Sequence, residues 1–490
     1  MKKTTLALLA ILLVALALRA PVLTWGLPPS TPAVAATGLR CSYAFDEDDV
    51  LTAVAYMLPS KLEFDPRRYH WGTGHFQFLL IWMEAAAASR YFARPWREAY
   101  YQMIPGEFEK VYAAGRAFSV LAGLASIAVV FLLARDLVGP RAGLAAAALL
   151  AVSPVHLLAS TQVRVDITMT LWLAWGAWMA LHGRLFGAGV LLGLAVVTKY
   201  SALFAVAPLV GAIWWRRRQL GPLVAGLLAG VLAGQPTLLT RAGAMWDQIH
   251  EAWRANLQAP AEFRLAAGEL VGRQALGAVR FVLGPVAAML AASGLWRMRQ
   301  PILIAPIAGL AVSLVPLDWP LLRYQVPLLA FLAIAAAMSF DRLGARARWL
   351  AGVSGLAFPL AASLSQIAYM LAPHPANRAF DAILAFVPPG TGIARLVREM
   401  PPLDEKLYPI AANPYLDDMA PNPPPFVLTA DLPDRDYPSS TLRLLETRYD
   451  RIAEFSTPRS LAWSTFGERA APHDWKYTHP VLRLYRRRSP

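Results

Sequence analysis

The sequence predicts an all-α polytopic membrane protein of about eleven spans, with a long first loop outside the membrane and a small α/β domain after the last span. Three observations predict it. Of 490 residues, 57% are hydrophobic and only 16% charged, against about 25% charged in soluble domains. Apolar runs of membrane-crossing length recur from residue 6 to residue 371 and then stop. Basic residues gather in alternate short connections, the pattern that fixes helix orientation. The net charge of +14 is therefore assigned to topology, and nucleic acid is excluded as a partner.

The first run, 5–24, follows Lys2 and Lys3 and is longer than a secretory signal core, so it reads as a retained span with a cytoplasmic start. Further spans are expected at 111–133, 142–159, 167–182, 186–198, 200–215, 220–239, 275–295, 301–317, 324–340 and 350–371. The connections 134–141, 183–185, 216–219, 296–300 and 341–349 are then cytoplasmic; they hold eleven arginines and only Asp136 and Asp341 as acids. Segments 186–198 and 200–215 are short and allow a shallow hairpin with Lys199 at its tip. The expected division is a membrane domain over 1–371 and an extracytoplasmic domain over 372–490, in the cytoplasmic (inner) membrane of a bacterium.

Within the first outer loop, 25–110, residues 46–58 and 75–92 read as helices lying at the interface. The tail opens Pro-rich, then gives strand-like FVLT and VLRLYR around a helix-like STLRLLETRY. His473, His479 and Arg486–Arg488 read as tail surface, and Trp71, Trp82, Trp96 and Trp319 as interfacial aromatics. The single cysteine, Cys41, forms no internal disulfide.

Charge close to a membrane is expensive and marks a site by default. The cytoplasmic arginines are explained by orientation. The outer-side groups are not: Asp46, Glu47, Asp48 and Asp49 after the first span, Arg164 and Asp166 between the third and fourth, Lys199, and Arg323 with Tyr324 before the tenth. Each falls at the outer end of a span, so a bundle can bring them to one cavity. Carboxylates can take a proton from a hydroxyl nucleophile, and cations can hold an anionic leaving group such as a phosphate.

The stretches FDED, GRAFSVLAG, LVGPRAGLAAAALLAVSPVHLLASTQVRVD, GLAVVTKYSALF and RYQVPLLAFLAIAAA occur in this order along residues 5–340. In sequence and topology they resemble the GT-C glycosyltransferases that use polyprenyl-phosphate sugars. That group contains the protein O-mannosyltransferases and the aminoarabinose transferase of lipid A, and the likeness is to glycosyltransferase family 39. The resemblance implies transfer of a hexose or pentose from a polyprenyl-phosphate donor to an acceptor hydroxyl, amine or phosphate on a glycan, lipid or protein, with inversion. It implies that Asp46 is the general base, with Glu47 its neighbour and Asp166 the second-loop acid. Arg164, Lys199 and Arg323 are then the cations for the lipid phosphate, with Tyr324 beside them. Relatives often carry a Pro-Pro-Leu-like run where this chain reads YHWGTGHFQFLLIW; His70 and His75 there are candidates for acceptor or phosphate contact.

Other readings stay open. Asp48 and Asp49 suit the first turn of a helix, where acids favour the dipole. Asp166 can pair with Arg164, and Lys199 can snorkel. No cofactor is required for a phosphate leaving group, although Asp46 and Asp48 could hold Mg²⁺ or Mn²⁺ through oxygen. A transporter or flippase would use the same charges as a path, but it commonly carries repeats, and none is evident here.

Overall fold

The structure is a computed structural model. It describes all residues except 1, 30, 32–33, 35–41, 45, 218, 258–271, 273, 315–321, 397–400, 405, 407, 409, 412–422, 432–438, 459, 462–463, 466–477 and 489–490. Cys41, Trp319 and His473 lie outside the described residues. The chain divides into two compact units: Met1–Leu23, Asp49–Ala88 and Ala114–Leu364 form the first, and Thr24–Asp48, Ser89–Ala113 and Ser365–Pro490 the second.

The described helices are α1 (Lys2–Arg19), α2 (Glu47–Tyr56), α3 (Gly74–Ala88), α4 (Trp96–Tyr101), α5 (Glu107–Leu137), α6 (Pro140–Ala151), α7 (Pro154–Ser160), α8 (Val165–Leu181), α9 (Leu185–Thr198), α10 (Leu203–Arg217) and α11 (Gly221–Gly234). They continue with α12 (Leu238–Leu257), α13 (Pro285–Arg297), α14 (Pro301–Leu314), α15 (Val326–Asp341), α16 (Ala345–Leu371), α17 (Pro375–Phe386) and α18 (Ser439–Arg448). The expected helices at 46–58 and 75–92 are present as α2 and α3.

By length and composition, four helical stretches among the described residues can cross a membrane: Lys2–Val22, Glu107–Leu137, Leu322–Asp341 and Ala345–Phe386. Three further candidates are bent. The expected span 142–159 breaks by 66° between α6 and α7, 220–239 turns by 79° into α12, and 275–295 breaks by 119° before α13. Local chemistry explains two of the breaks. Pro154 lacks the N–H that would continue α6 into α7, and Gly284 takes φ +78° directly before Pro285. Helices α8, α9 and α14 are apolar but short.

In the first unit, α9 and α11 cross at unusually close range. A Cβ on Gly189 would lie 2.1 Å from the Leu223 carbonyl oxygen, and one on Gly193 would lie 2.3 Å from that of Leu227. The relation is reciprocal: Gly226 faces the Phe186 oxygen and Gly230 the Val190 oxygen, each at 2.1 Å. Two glycines four residues apart on each helix therefore let the backbones touch, the small-residue packing of membrane helices.

In the second unit, β1 (Ile393–Arg395) pairs in parallel with both β2 (Ile410–Ala411) and β3 (Phe426–Ala430). Strand β4 (Tyr449–Phe455) and the final strand β7 (Leu482–Arg487) are antiparallel, and β3 pairs with β7, giving the order β2-β1-β3-β7-β4. A short hairpin, β5 (Ser460–Leu461) and β6 (Ser464–Thr465), stands apart in its own sheet. Ala394, Leu396, Val427, Leu445 and Tyr449 form the core under α18. The strands and helix expected of the tail are thus β3, β7 and α18.

Two of the expectations for individual side chains change. His479 is buried, 4.7 Å from the His374 ring and 4.4 Å from that of Tyr369. Trp96 is buried against its neighbours in place of standing in an aromatic belt. Arg486, Arg487 and Arg488 are exposed as expected, and Arg487 and Arg488 donate along the surface to the Pro423 carbonyl, to Asp450 and to the Thr447 carbonyl at 2.6, 2.8 and 3.0 Å.

Candidate active site

Two groups of candidate residues are built by different means, one in each unit. In the first unit, α8 and α9 form a helical hairpin, so the N-terminus of α8 and the C-terminus of α9 share one end. Asp166 lies in the first turn of α8, where the helix dipole favours a carboxylate. Lys199 directly follows α9, and its Nζ stands 2.6 Å from Asp166 Oδ1. The side chains are 15% and 5% exposed, so little water screens the pair. The same ammonium lies 4.6 Å from the Tyr324 ring centre, and the Arg323 guanidinium is 5.5 Å from it. Arg164 precedes α8 and is buried. The partner of Asp166 is thus Lys199, which sequence reasoning placed on a separate loop; the expected Arg164 pairing gives way to it. Geometry selects Lys199 because the hairpin returns it to the end where α8 begins.

The YHWGTGHF stretch holds this end together. Gly72 takes φ +117°, and a Cβ there would come 2.3 Å from the Val197 carbonyl oxygen. Gly74 also packs tightly on Thr198, and the Tyr200 N–H donates to the Trp71 carbonyl at 3.2 Å. The stretch is therefore a backbone clamp on the C-terminus of α9. His70 packs on Trp71 with ring centres 4.1 Å apart. His75 is fully buried: its Nδ1 is 2.9 Å from Thr168 Oγ1, and its ring meets Phe118 edge-on at 5.5 Å. Burial lowers its pKa to about 3, so the imidazole is neutral. Packing against Thr168 and Phe118 thus encloses His75, one of the two histidines expected to contact acceptor or phosphate. Beside the clamp, Tyr69 donates to Asp65, which also pairs with Arg241 at 3.2 Å. Burial, followed by the hydrogen bond to Asp65, raises the Tyr69 hydroxyl well above its usual range.

In the second unit, Asp46 stands immediately before α2 with φ +74°. It is half-buried, whereas Glu47 is fully buried and accepts the Ser42 hydroxyl at 2.6 Å. Asp48 accepts from the Ser42 N–H at 3.2 Å and from the Tyr112 hydroxyl, and its carbonyl accepts from Tyr100 at 3.2 Å. Asp48 is therefore anchored by side chains far along the chain, beyond any interaction with the dipole of its own helix. Asp49, where the first unit resumes, has a long, exposed pairing of 3.9 Å with Arg68. Among the described residues no three His, Cys, Asp or Glu side chains are grouped to hold a metal. The carboxylate of Asp48 thus meets both the Ser42 N–H and the Tyr112 hydroxyl.

Comparison with known proteins adds to this geometry. Residues 107–235 match the family model described as dolichyl-phosphate-mannose-protein mannosyltransferase. No curated protein sequence matches the chain. The structure is similar to that of ArnT from Cupriavidus metallidurans in the apo state, with a TM-score of 0.54 at 14% identity over 98% of this chain and 97% of that one. ArnT of the same organism bound to undecaprenyl phosphate gives a TM-score of 0.49 at 14% identity, over the same shares of the two chains. The oligosaccharyltransferase of Archaeoglobus fulgidus in its apo form gives 0.48 at 12% identity, over 87% of this chain and 69% of that one. The fold is that of apo ArnT, and the GT-C resemblance read from the sequence holds.

Proposed function

We propose that the chain is an integral membrane glycosyltransferase that moves a sugar from a polyprenyl-phosphate donor to an acceptor on the outer face of the cytoplasmic membrane. The observation that carries this reading is the buried Asp166–Lys199 pair at the common end of α8 and α9, with Tyr324 and Arg323 beside it, inside an ArnT-like fold. A preformed cation at the end of apolar helices suits a lipid phosphate, whose chain stays in the membrane while its head stays at the edge. Eleven spans, a cytoplasmic N-terminus, a bacterial inner membrane and an extracytoplasmic 372–490 domain belong to the same reading.

In the reaction, the acceptor oxygen attacks the anomeric carbon while its proton passes to the Asp46 carboxylate. The bond from that carbon to the phosphate oxygen breaks, and the electron pair leaves on polyprenyl phosphate. Lys199, Arg323 and Arg164 meet the charge that develops there. One displacement inverts the anomeric centre. Glu47 and Asp48, through Ser42 and Tyr112, hold the segment that presents Asp46. A phosphate monoester is an adequate leaving group beside three cations, so the reading needs no metal.

The test is transfer of a labelled sugar from a synthetic polyprenyl-phosphate donor in proteoliposomes. Wild type should yield a covalent product of inverted configuration, and Asp46→Asn should lose it while remaining folded. Donor flux without covalent product would replace this reading with transport. Wild-type rates in Asp46→Asn would remove the base from Asp46.

A further inference from the structure

A buried arginine in the first span is used by nothing described so far. Arg19 is fully buried near the end of α1, and it is held by two carbonyls, a hydroxyl and an imidazole in place of a carboxylate. A charge in that setting is costly unless its donors are well met. Its Nε donates to Ser160 Oγ at 2.7 Å, Nη1 to the carbonyls of Ala15 and Ala151 at 2.8 and 3.1 Å, and Nη2 lies 2.9 Å from His156 Nδ1. Arginine can only donate, so His156 Nδ1 accepts and its Nε2–H points to Ser126 Oγ, 2.9 Å away. Ser126 in turn donates its own proton to the Gly123 carbonyl at 2.7 Å.

Ala151 ends α6, and His156 and Ser160 lie in the middle and at the end of α7, so one guanidinium grips the broken span on both sides of its 66° bend. Gly123 of α5 closes the other side: a Cβ there would sit 2.7 Å from Ser160 Cβ and 3.5 Å from His156 Cε1. Ser153 and Ser363 tie only the bend itself, to the carbonyls of Val282 and Val152 at 3.0 and 2.8 Å. Arg19 reaches the far end of α7 at Ser160. Six residues after Ser160 comes Asp166, and residues 152–174 are buried throughout, so the direction of α7 is inherited by the Asp166 end of α8.

We infer that Arg19 is a positioning residue for the transfer proposed above: its fork sets the exit direction of α7 and so the register of Asp166 against Lys199. It touches no substrate. Lysine in its place carries the charge but cannot serve Ser160, His156 and two carbonyls in one plane.

The test reads the Asp166–Lys199 end directly. Purified protein in detergent is treated with an amine-reactive ester, and modification of Lys199 is followed by mass spectrometry against exposed Lys406 in the same sample. Wild-type Lys199 should react far more slowly than Lys406. Arg19→Met and Arg19→Lys should both raise the Lys199 rate several-fold with Lys406 unchanged, and Ser160→Ala should raise it less. If Arg19→Met does not fold, Ser160→Ala decides alone, because it removes one of the hydrogen bonds of Arg19 and no charge. Transfer assays should show turnover reduced by about 10- to 100-fold, the usual consequence of a reactive group displaced by about 1 Å, with acceptor KM little changed. A wild-type Lys199 rate in folded variants, or full rescue by lysine, overturns the inference. If wild-type protein transfers no sugar, the proposed reaction fails while the labelling result still decides the role of Arg19.

Discussion

Replacing Gly193 with alanine adds one methyl group inside the close α9–α11 crossing. The new Cβ would stand 2.3 Å from the Leu227 carbonyl oxygen and 2.9 Å from the Val231 nitrogen. Real Cβ contacts rarely fall below 3.4 Å, so the helices must part by about 1 Å. Both obstructing atoms are backbone, so no rotamer change relieves them. Overpacking of this kind costs about 1–3 kcal/mol. The same substitution elsewhere supplies the control: a Cβ at Gly211 of α10 meets nothing within 4 Å, and alanine there should stabilise by about 1 kcal/mol through helix propensity. Thermal unfolding of detergent-purified protein, followed by intrinsic tryptophan fluorescence, should place Gly193→Ala below wild type and Gly211→Ala at or above it. Transfer activity should fall in Gly193→Ala as well, because α9 ends on Lys199. Equal midpoints for the two variants would refute the claim that backbone contact holds this helix pair.

Three further outcomes are expected. Lys199→Gln should destabilise by about 3–5 kcal/mol by leaving Asp166 buried without its partner; Asp166→Asn in the same chain should recover most of that loss, as a double-mutant cycle on unfolding midpoints would show. Burial of His75 lowers its pKa from 6.5 to about 3, so its contribution to stability is complete above pH 6.5 and is lost as pH falls from there toward 3. The unfolded chain takes up a proton in that window and the folded one does not, at a cost of about 1.36 kcal/mol for each pH unit. The gap between wild type and His75→Leu should therefore move by about 2 kcal/mol toward the variant between pH 7 and pH 5, read from denaturant unfolding at both pH values. Tyr112→Phe should release Asp48 and lower turnover more than Asp49→Asn does, because the pairing of Asp49 with Arg68 is long and exposed; comparing the two rates checks it.

The membrane class, the helices α2 and α3 and the strands β3 and β7 were readable because each rests on local periodicity or apolar length. The bends were harder. Hydropathy averages over Pro154 and Gly284, so 142–159 and 275–295 read as unbroken runs. The Asp166–Lys199 pair required knowing that α8 and α9 return on each other, and proximity in sequence favoured Arg164. The glycines at 189, 193, 226 and 230 were visible as two four-residue spacings, yet only the crossing shows that they face each other's carbonyls. Arg19 was hidden by its place at the end of a span, where a basic residue looks like an ordinary flank. YHWGTGHF was read for its histidines, whereas its glycines carry the contact.

The left-handed backbone at Asp46 restricts which replacements are informative. Glycine, asparagine and aspartate accept φ +74° with little strain, and of these only aspartate can accept a proton at neutral pH. Alanine scanning at this position would mix a bent loop with a missing carboxylate and report both as one loss. Asparagine keeps the loop and removes the acid; glycine keeps the loop and removes the side chain. Their difference isolates whatever the amide does by hydrogen bonding. A library that explores other residues here samples misfolded entrances to α2 more than altered chemistry, so changes of acceptor or sugar preference are better sought at neighbouring positions.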